Sequence, residues 1–289
     1  MLCLLLFAVA VKVMAQVKVE PGVSLVLAQY RAQHVRDVAY NLSFTIPGET
    51  ESGVAFEEEI AFEWGGDGDL QLDFQGLLRA ASINDANLDS SCYHDEHIVV
   101  PARYLEKGRN RIRIGGECSD KSLNRQADYL YTLFVPDHAR SAFACFDQPD
   151  IKGRYTLSLV VPAGWTAISN GMLQSNTEAD GQRSMTFRTT EPLPTYLFSF
   201  TAGRFSEQKA VRDGRQLTAL YRETDPQKVA QLPVIFDEIA LSLRWMEQYT
   251  GIAYPFQKYG FVVLPGYQFG GMEHPGCIQY KIGRASCRE

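Results

Sequence analysis

Apolar and polar residues alternate along most of the chain between Tyr40 and Phe205. The segments VAYNLSFTIP (38–47), VAFEEEIAFEW (54–64), DLQLDF (69–74), RIRIG (111–115), YTLSLVVP (155–162), SMTFRTT (184–190) and TYLFSFTAG (195–203) follow this period of two with some slippage. Turn clusters such as GGDGD (65–69) and EKGRN (106–110) separate them. Alternation gives each strand one buried and one wet face, as in antiparallel sheets. Many short strands without a long helix between them predict a mainly β fold, with a saddle-like or sandwich-like antiparallel domain over residues 16–205.

The pattern changes near residue 206. One more strand, QLTALYRE (216–223), precedes a helical stretch with Leu232, Ile235, Phe236, Ile239, Leu243 and Met246 on one face. Asp225 is placed to cap a helix with Pro226 just inside it, Pro233 opens or kinks the main helix, and Gly251 stops it. YGFVVLPGYQFGG (259–271) reads as an apolar strand feeding a glycine turn. Residues 206–281 are expected to be the incomplete start of an α+β domain, because one helix and a strand or two cannot bury a core alone. The exposed apolar helix face then predicts poor solubility.

Composition adds two things. The 289 residues are 45% hydrophobic with a formal net charge of −6, and no Lys/Arg run points to nucleic acid. The start, MLCLLLFAVAVKVMAQ, is an apolar run ending in small residues around Ala15. It is too short to span a bilayer and reads as a secretory signal over residues 1–15, with a buried first strand as the alternative. Export to the periplasm or the extracellular space is the expectation, with no transmembrane segment beyond the signal. The six cysteines include no CxxC pair, which argues against a zinc ribbon, and pairing of Cys92 with Cys118 stays open.

Three motifs carry candidate chemistry. CYHDEH (92–97) offers metal-binding side chains, but it lacks the four-residue spacing of HExxH and reads better as a solvated loop. In HARSAFACFDQPD (138–150), Phe143 and Phe146 fit a core, Arg140 and Asp147 an ion pair or backbone bonds, and Gln148–Asp150 a turn. GGMEHPG (270–276) follows the apolar strand. Gly270 and Gly271 permit close approach of another backbone, so an extended peptide can pair there, and Glu273 suits a peptide's free ammonium. A glycine-rich hairpin turn with a solvated glutamate is the other reading, and the residues alone leave both open.

At these motifs the chain resembles the zinc aminopeptidases of the aminopeptidase N family, gluzincins that also include leukotriene A4 hydrolase. GGMEH matches the exopeptidase signature G-x-M-E-N with His274 in place of Asn. ARSAFACFDQP is similar to ARxxFPCFDEP, with Ala144 for Pro and Gln148 for Glu, and TYLFSFTAGRF resembles the last strand of the family's N-terminal domain. The similarity runs in order from about Val38 to Lys281.

The resemblance implies a saddle-like N-terminal domain followed by a thermolysin-like catalytic domain. It implies that Glu273 binds the substrate's amino group while Gly270, Gly271 and Met272 line the peptide. A family glutamine that also reaches the amine falls at Leu133, so amine binding is expected to rest on Glu273. The family's chemistry uses Zn2+ on HExxH with a further Glu and a Tyr. No HExxH occurs in this sequence, so the resemblance implies a polypeptide that ends before the zinc site, binds no zinc and does not hydrolyse peptides by itself. IGRASCRE (282–289) matches one reading frame of a common sequencing adapter and is expected to be read-through rather than a native C-terminus. The alternative function is a non-catalytic, secreted peptide-binding or adhesion module built on the β domain.

Overall fold

The computed structural model describes residues 17–281, so the expected signal (1–15) and read-through (282–289) lie outside the described residues. Helix α1 (Leu25–His34) starts at Ser24, whose side chain accepts from the Leu27 amide, and runs directly into strand β1 (Val35–Thr45). Two-residue patterning does not foretell α1, which buries only Leu27 and Arg31. Strand β1 pairs antiparallel with β2 (Ala55–Trp64). Then come β3 (Leu70–Asp73), β4 (Leu77–Ile83), β5 (Ala86–Asn87), β6 (Tyr93–His94), β7 (His97–Val100) and the long β8 (Gly108–Glu117).

A hairpin of β9 (Leu123–Gln126) and β10 (Tyr129–Thr132) precedes β11 (Gly153–Pro162), β12 (Thr166–Ser169), β13 (Leu173–Ala179), β14 (Gln182–Phe187) and β15 (Phe200–Gly203). The largest sheet has eight strands in the order β13-β14-β11-β1-β2-β8-β4-β5. It is antiparallel except where β1 lies parallel to β11. A four-stranded sheet, β12-β15-β10-β9, and a three-stranded sheet, β3-β7-β6, complete this part. One apolar core fills the space between them, rich in fully buried rings such as Phe44, Phe62, Phe134, Phe143, Phe146 and Phe198. The ring planes of Tyr155 and Phe198 stack at 4.5 Å. The mainly β expectation holds. Within TYLFSFTAG, however, the first residues form a 3₁₀ turn (Thr195–Leu197) rather than a strand, because the Thr195 hydroxyl is drawn to the buried Asp147 at 2.7 Å.

From Ser206 onward every strand belongs to a separate five-stranded sheet. Strands β16 (Ser206–Arg212) and β17 (Arg215–Tyr221) form a hairpin, followed by a short helix α2 (Pro226–Val229) capped by Asp225. The long helix α3 (Leu232–Thr250) ends at Gly251, whose φ of 70° is left-handed. Strands β18 (Tyr259–Leu264), β19 (Gly271–Met272) and β20 (Ile278–Lys281) close the order β16-β17-β18-β20-β19. Leu217, Ala219, Leu232, Phe236 and Phe261 form a small core under α3. The predicted apolar stripe is buried only in its first half, and Met246 is 48% exposed. At 1.5 Å per residue α3 is about 28 Å long. Leu241, Trp245 and Tyr249 follow one another at four-residue spacing on the face of α3 opposite Leu232 and Phe236, and all three are exposed.

Candidate functional site

GGMEHPG lies where the five-stranded sheet meets the four-stranded one. Strand β19 is the outermost strand: Gly271 and Met272 pair antiparallel with Tyr280 and Gln279 of β20, and among the described residues no strand covers the other side. Gly270 and Gly271 are exposed. A Cβ on Gly271 would meet the Tyr280 ring at 3.1 Å, so glycine lets that ring lie against the strand. A Cβ on Gly270 would meet nothing within 4 Å, so glycine there leaves the backbone bare rather than relieving a clash. Unpaired backbone groups along such an edge can accept a further strand.

Met272 and His274 are buried on either side of the exposed Glu273. Alternation along the strand therefore turns the glutamate outward while its neighbours are locked inward. The His274 ring is fully buried, and its Nδ1 lies 3.3 Å from the Leu197 carbonyl. Burial lowers its pKa to about 4, so the ring is neutral and Nδ1–H is the donor. Asn170 donates to the Pro275 carbonyl at 2.9 Å. Two residues past the turn, the buried Gln279 donates to the Thr132 carbonyl at 3.0 Å and to Ser199 Oγ at 2.8 Å. The strand behind β19 is thus bonded to β10 and to the segment leading into β15.

Leu133 is 3% exposed and sits in an apolar cluster with Tyr131, Tyr267, Met272 and Cys277. The fold therefore brings Leu133 and Met272 into one cluster, and Leu133 contributes no polar group to it. The Tyr267 ring lies 5.2 Å from Tyr131. Burial first, then neighbours that include Glu273, raises the Tyr267 phenol above its usual range. Asn170, Lys258, Tyr267 and Gln279 were not singled out by sequence reasoning. None of the four carries a local signal: in IQYK (278–281) alternation would turn the apolar Ile278 and Tyr280 inward, yet Gln279 is the buried residue.

The other two motifs are structural. Phe143 and Phe146 are fully buried, and Arg140 Nε lies 3.5 Å from Asp147. Burial raises the Asp147 pKa to about 6 despite bonds from Thr195 and the Arg140 amide. In CYHDEH, His94 is exposed beside Asp95, as a solvated loop predicts. His97 departs from that reading: it is fully buried, with Nδ1 3.0 Å from Asp73 and Nε2 2.9 Å from the Glu20 carbonyl. The reason is strand β7, whose pairing with β3 places His97 opposite Asp73. Arg31 completes this group with bonds of 2.8 and 2.6 Å to the two Asp73 oxygens. Burial alone would raise the Asp73 pKa, but Arg31 and His97 outweigh it and hold it at about 2. Cys92, Cys118, Cys145 and Cys277 are free thiols.

Among the described residues no cluster of three His, Cys, Asp or Glu side chains is arranged to hold a metal ion. The described residues thus offer no donor set that fits the zinc implied by the motifs. No helix among the described residues is long and apolar enough to cross a membrane.

Residues 119–197 match the Peptidase M1 N-terminal domain family. The chain is 27% identical over 279 residues to aminopeptidase N of Streptomyces lividans, covering 89% of this chain and 32% of that protein. It is 30% identical over 218 residues to leucyl aminopeptidase of Saccharolobus solfataricus, covering 73% of this chain and 27% of that protein. A crystal structure of an M1 zinc metallopeptidase variant from Deinococcus radiodurans, bound to a Tyr-Ser-Ala substrate, superposes with a TM-score of 0.72. That match has 23% identity and covers 89% of this chain and 62% of the other, and it shows a shared fold. The chain thus spans about a third or less of the curated relatives it matches.

Proposed function

Since this chain carries the N-terminal domain of the M1 peptidases and is related to aminopeptidases along most of its length, we propose that it supplies the substrate-anchoring part of an aminopeptidase. An extended peptide pairs along Gly270, Gly271 and Met272, and Glu273 holds its free α-ammonium. The observation that carries this is the placement of Glu273: exposed at the end of an open edge strand, between two buried residues that fix its direction. Leu133 brings no second polar contact to the amine, so recognition rests on the single carboxylate. Zn2+ hydrolysis belongs to the longer proteins of the family, and the present sequence, without HExxH, is inactive alone. The apolar run before Ala15 supports export, periplasmic or extracellular. The relatives are aminopeptidases and lend no support to an adhesion module.

The test is binding of a tripeptide with a free N-terminus against its N-acetylated counterpart. A charge-assisted bond is worth about 1.5–3 kcal/mol, so the free peptide is expected to bind roughly tenfold tighter or more. Glu273→Gln should erase that preference. Equal binding of the two peptides by the wild-type chain would overturn the role given to Glu273.

A further inference from the structure

Lys258 precedes β18 and is only 3% exposed. Its ammonium donates to the Ser169 carbonyl in β12 at 2.7 Å and to the Gly276 carbonyl, three residues past Glu273. No carboxylate of the described residues pairs with it, and Cys277 is the titratable side chain that faces it. Nearby, the Tyr254 hydroxyl lies 3.3 Å from the Lys258 carbonyl. The Gly276 carbonyl is held by the Lys258 ammonium. The two parts of the chain also pack tightly at Gly276: φ is +71°, and a Cβ there would lie 2.5 Å from the Asn170 carbonyl.

A buried ammonium without a counter-ion is costly, and an apolar residue of similar length would fill the same space. What an apolar residue cannot supply is a donor to two carbonyls from two different sheets and turns. We propose that Lys258 is the positioning residue of the Glu273 anchor, fixing the His274–Gly276 turn against β12 and so setting the direction in which Glu273 is presented. The proposal rests on the reading of Glu273 as an anchor, but its main test does not need that reading. Burial lowers the Lys258 pKa to about 8. The neutral amine still has two N–H donors for the two carbonyls, so the link persists above that pH.

The experiment compares amide exchange in the full chain for wild type, Lys258→Met and Lys258→Gln. Methionine and glutamine have nearly the same length, and only glutamine donates. In Lys258→Met, the amides of Met272, Cys277, Gln279 and Lys281 are expected to exchange about tenfold faster, while amides of β1 and β2 stay as in wild type. Lys258→Gln should recover part of that protection. Unchanged exchange at 271–281 in Lys258→Met makes Lys258 a space-filler and overturns the proposal. So does a uniform rise across all sheets, which marks a general stability role. A wild-type measurement covers the case in which neither variant folds: a protected Lys258 15Nζ resonance is expected, and a freely exchanging one sinks the idea. Loss of free-amine preference in Lys258→Met is the expected binding result. If wild type itself shows no such preference, the reading of Glu273 fails while the exchange data still decide the role of Lys258.

Discussion

Asn170 and Pro275 are 105 positions apart, and the Asn170 side-chain amide donates to the Pro275 carbonyl at 2.9 Å. The same amide donates to the Leu197 carbonyl at 2.9 Å, and its oxygen accepts from the Ser199 amide at 2.8 Å. One side chain thus joins the turn behind β19 to two points of the segment leading into β15. Asn170→Ala removes three bonds in a buried place: the Pro275 carbonyl and the Ser199 amide lose these partners, while the Leu197 carbonyl keeps only the longer bond from His274. At about 1 kcal/mol for each net bond, the expected loss is about 3 kcal/mol, measured by urea unfolding. A loss within 0.5 kcal/mol would mean that water or a shifted backbone replaces all three bonds.

Arg31 and Asp73 form a fully buried bidentate pair, with His97 on the third side. Removing one partner strands the other charge away from water. Arg31→Met is therefore expected to cost about 3–5 kcal/mol in the same assay. Asp73 titrates at about 2 in the fold, below its ordinary 3.8. The stability it contributes is present above about pH 4 and is lost as pH falls through about 2.

Two buried groups act in opposite directions in mild acid. His274 titrates at about 4 rather than 6.5, so the unfolded chain binds more protons in that window. Its term makes stability fall as pH drops from about 6.5 to 4, by on the order of 3 kcal/mol. Asp147 titrates at about 6 rather than 3.8, so the folded chain holds more protons there. Its term is present below about pH 4 and is lost as pH rises through about 6. Buried Glu58, also raised well above its ordinary range, acts as Asp147 does, so His274→Asn should make acid increase stability more steeply than in wild type between pH 4 and 6. The two pH–stability curves from thermal melts check this, and parallel curves would refute it.

Gly276 and Gly251 have nearly equal backbone angles, φ +71° and +70°. Their surroundings differ: a Cβ at Gly251 meets nothing within 4 Å, while one at Gly276 meets the Asn170 carbonyl at 2.5 Å. Gly251→Ala should thus cost only the conformational term, about 1 kcal/mol. Gly276→Ala adds a backbone clash and should cost several-fold more, with its exchange protection lost first at residues 271–281. Equal costs would show that the turn moves away freely.

Alternation foretold most long strands, because a period of two reports which face is buried whatever the partner. The capping signals at Asp225, Pro226 and Gly251 foretold both helices of the second part, since caps satisfy backbone groups within a few residues. The core role of Phe143 and Phe146 was legible for the same local reason. Partners were not legible. Nothing in β1 announces that it lies parallel to β11 more than a hundred residues later, or that the histidine of an apparent loop is buried against Asp73. Leu133 and Met272 meet only because two sheets pack together, and Lys258 reads as an ordinary surface cation until β12 and the Gly276 turn close around it. The sequence by itself determined which residues face inward and where helices begin and stop. Only the tertiary structure decided which of them meet, because those contacts join segments far apart in the chain and depend on how whole sheets are placed.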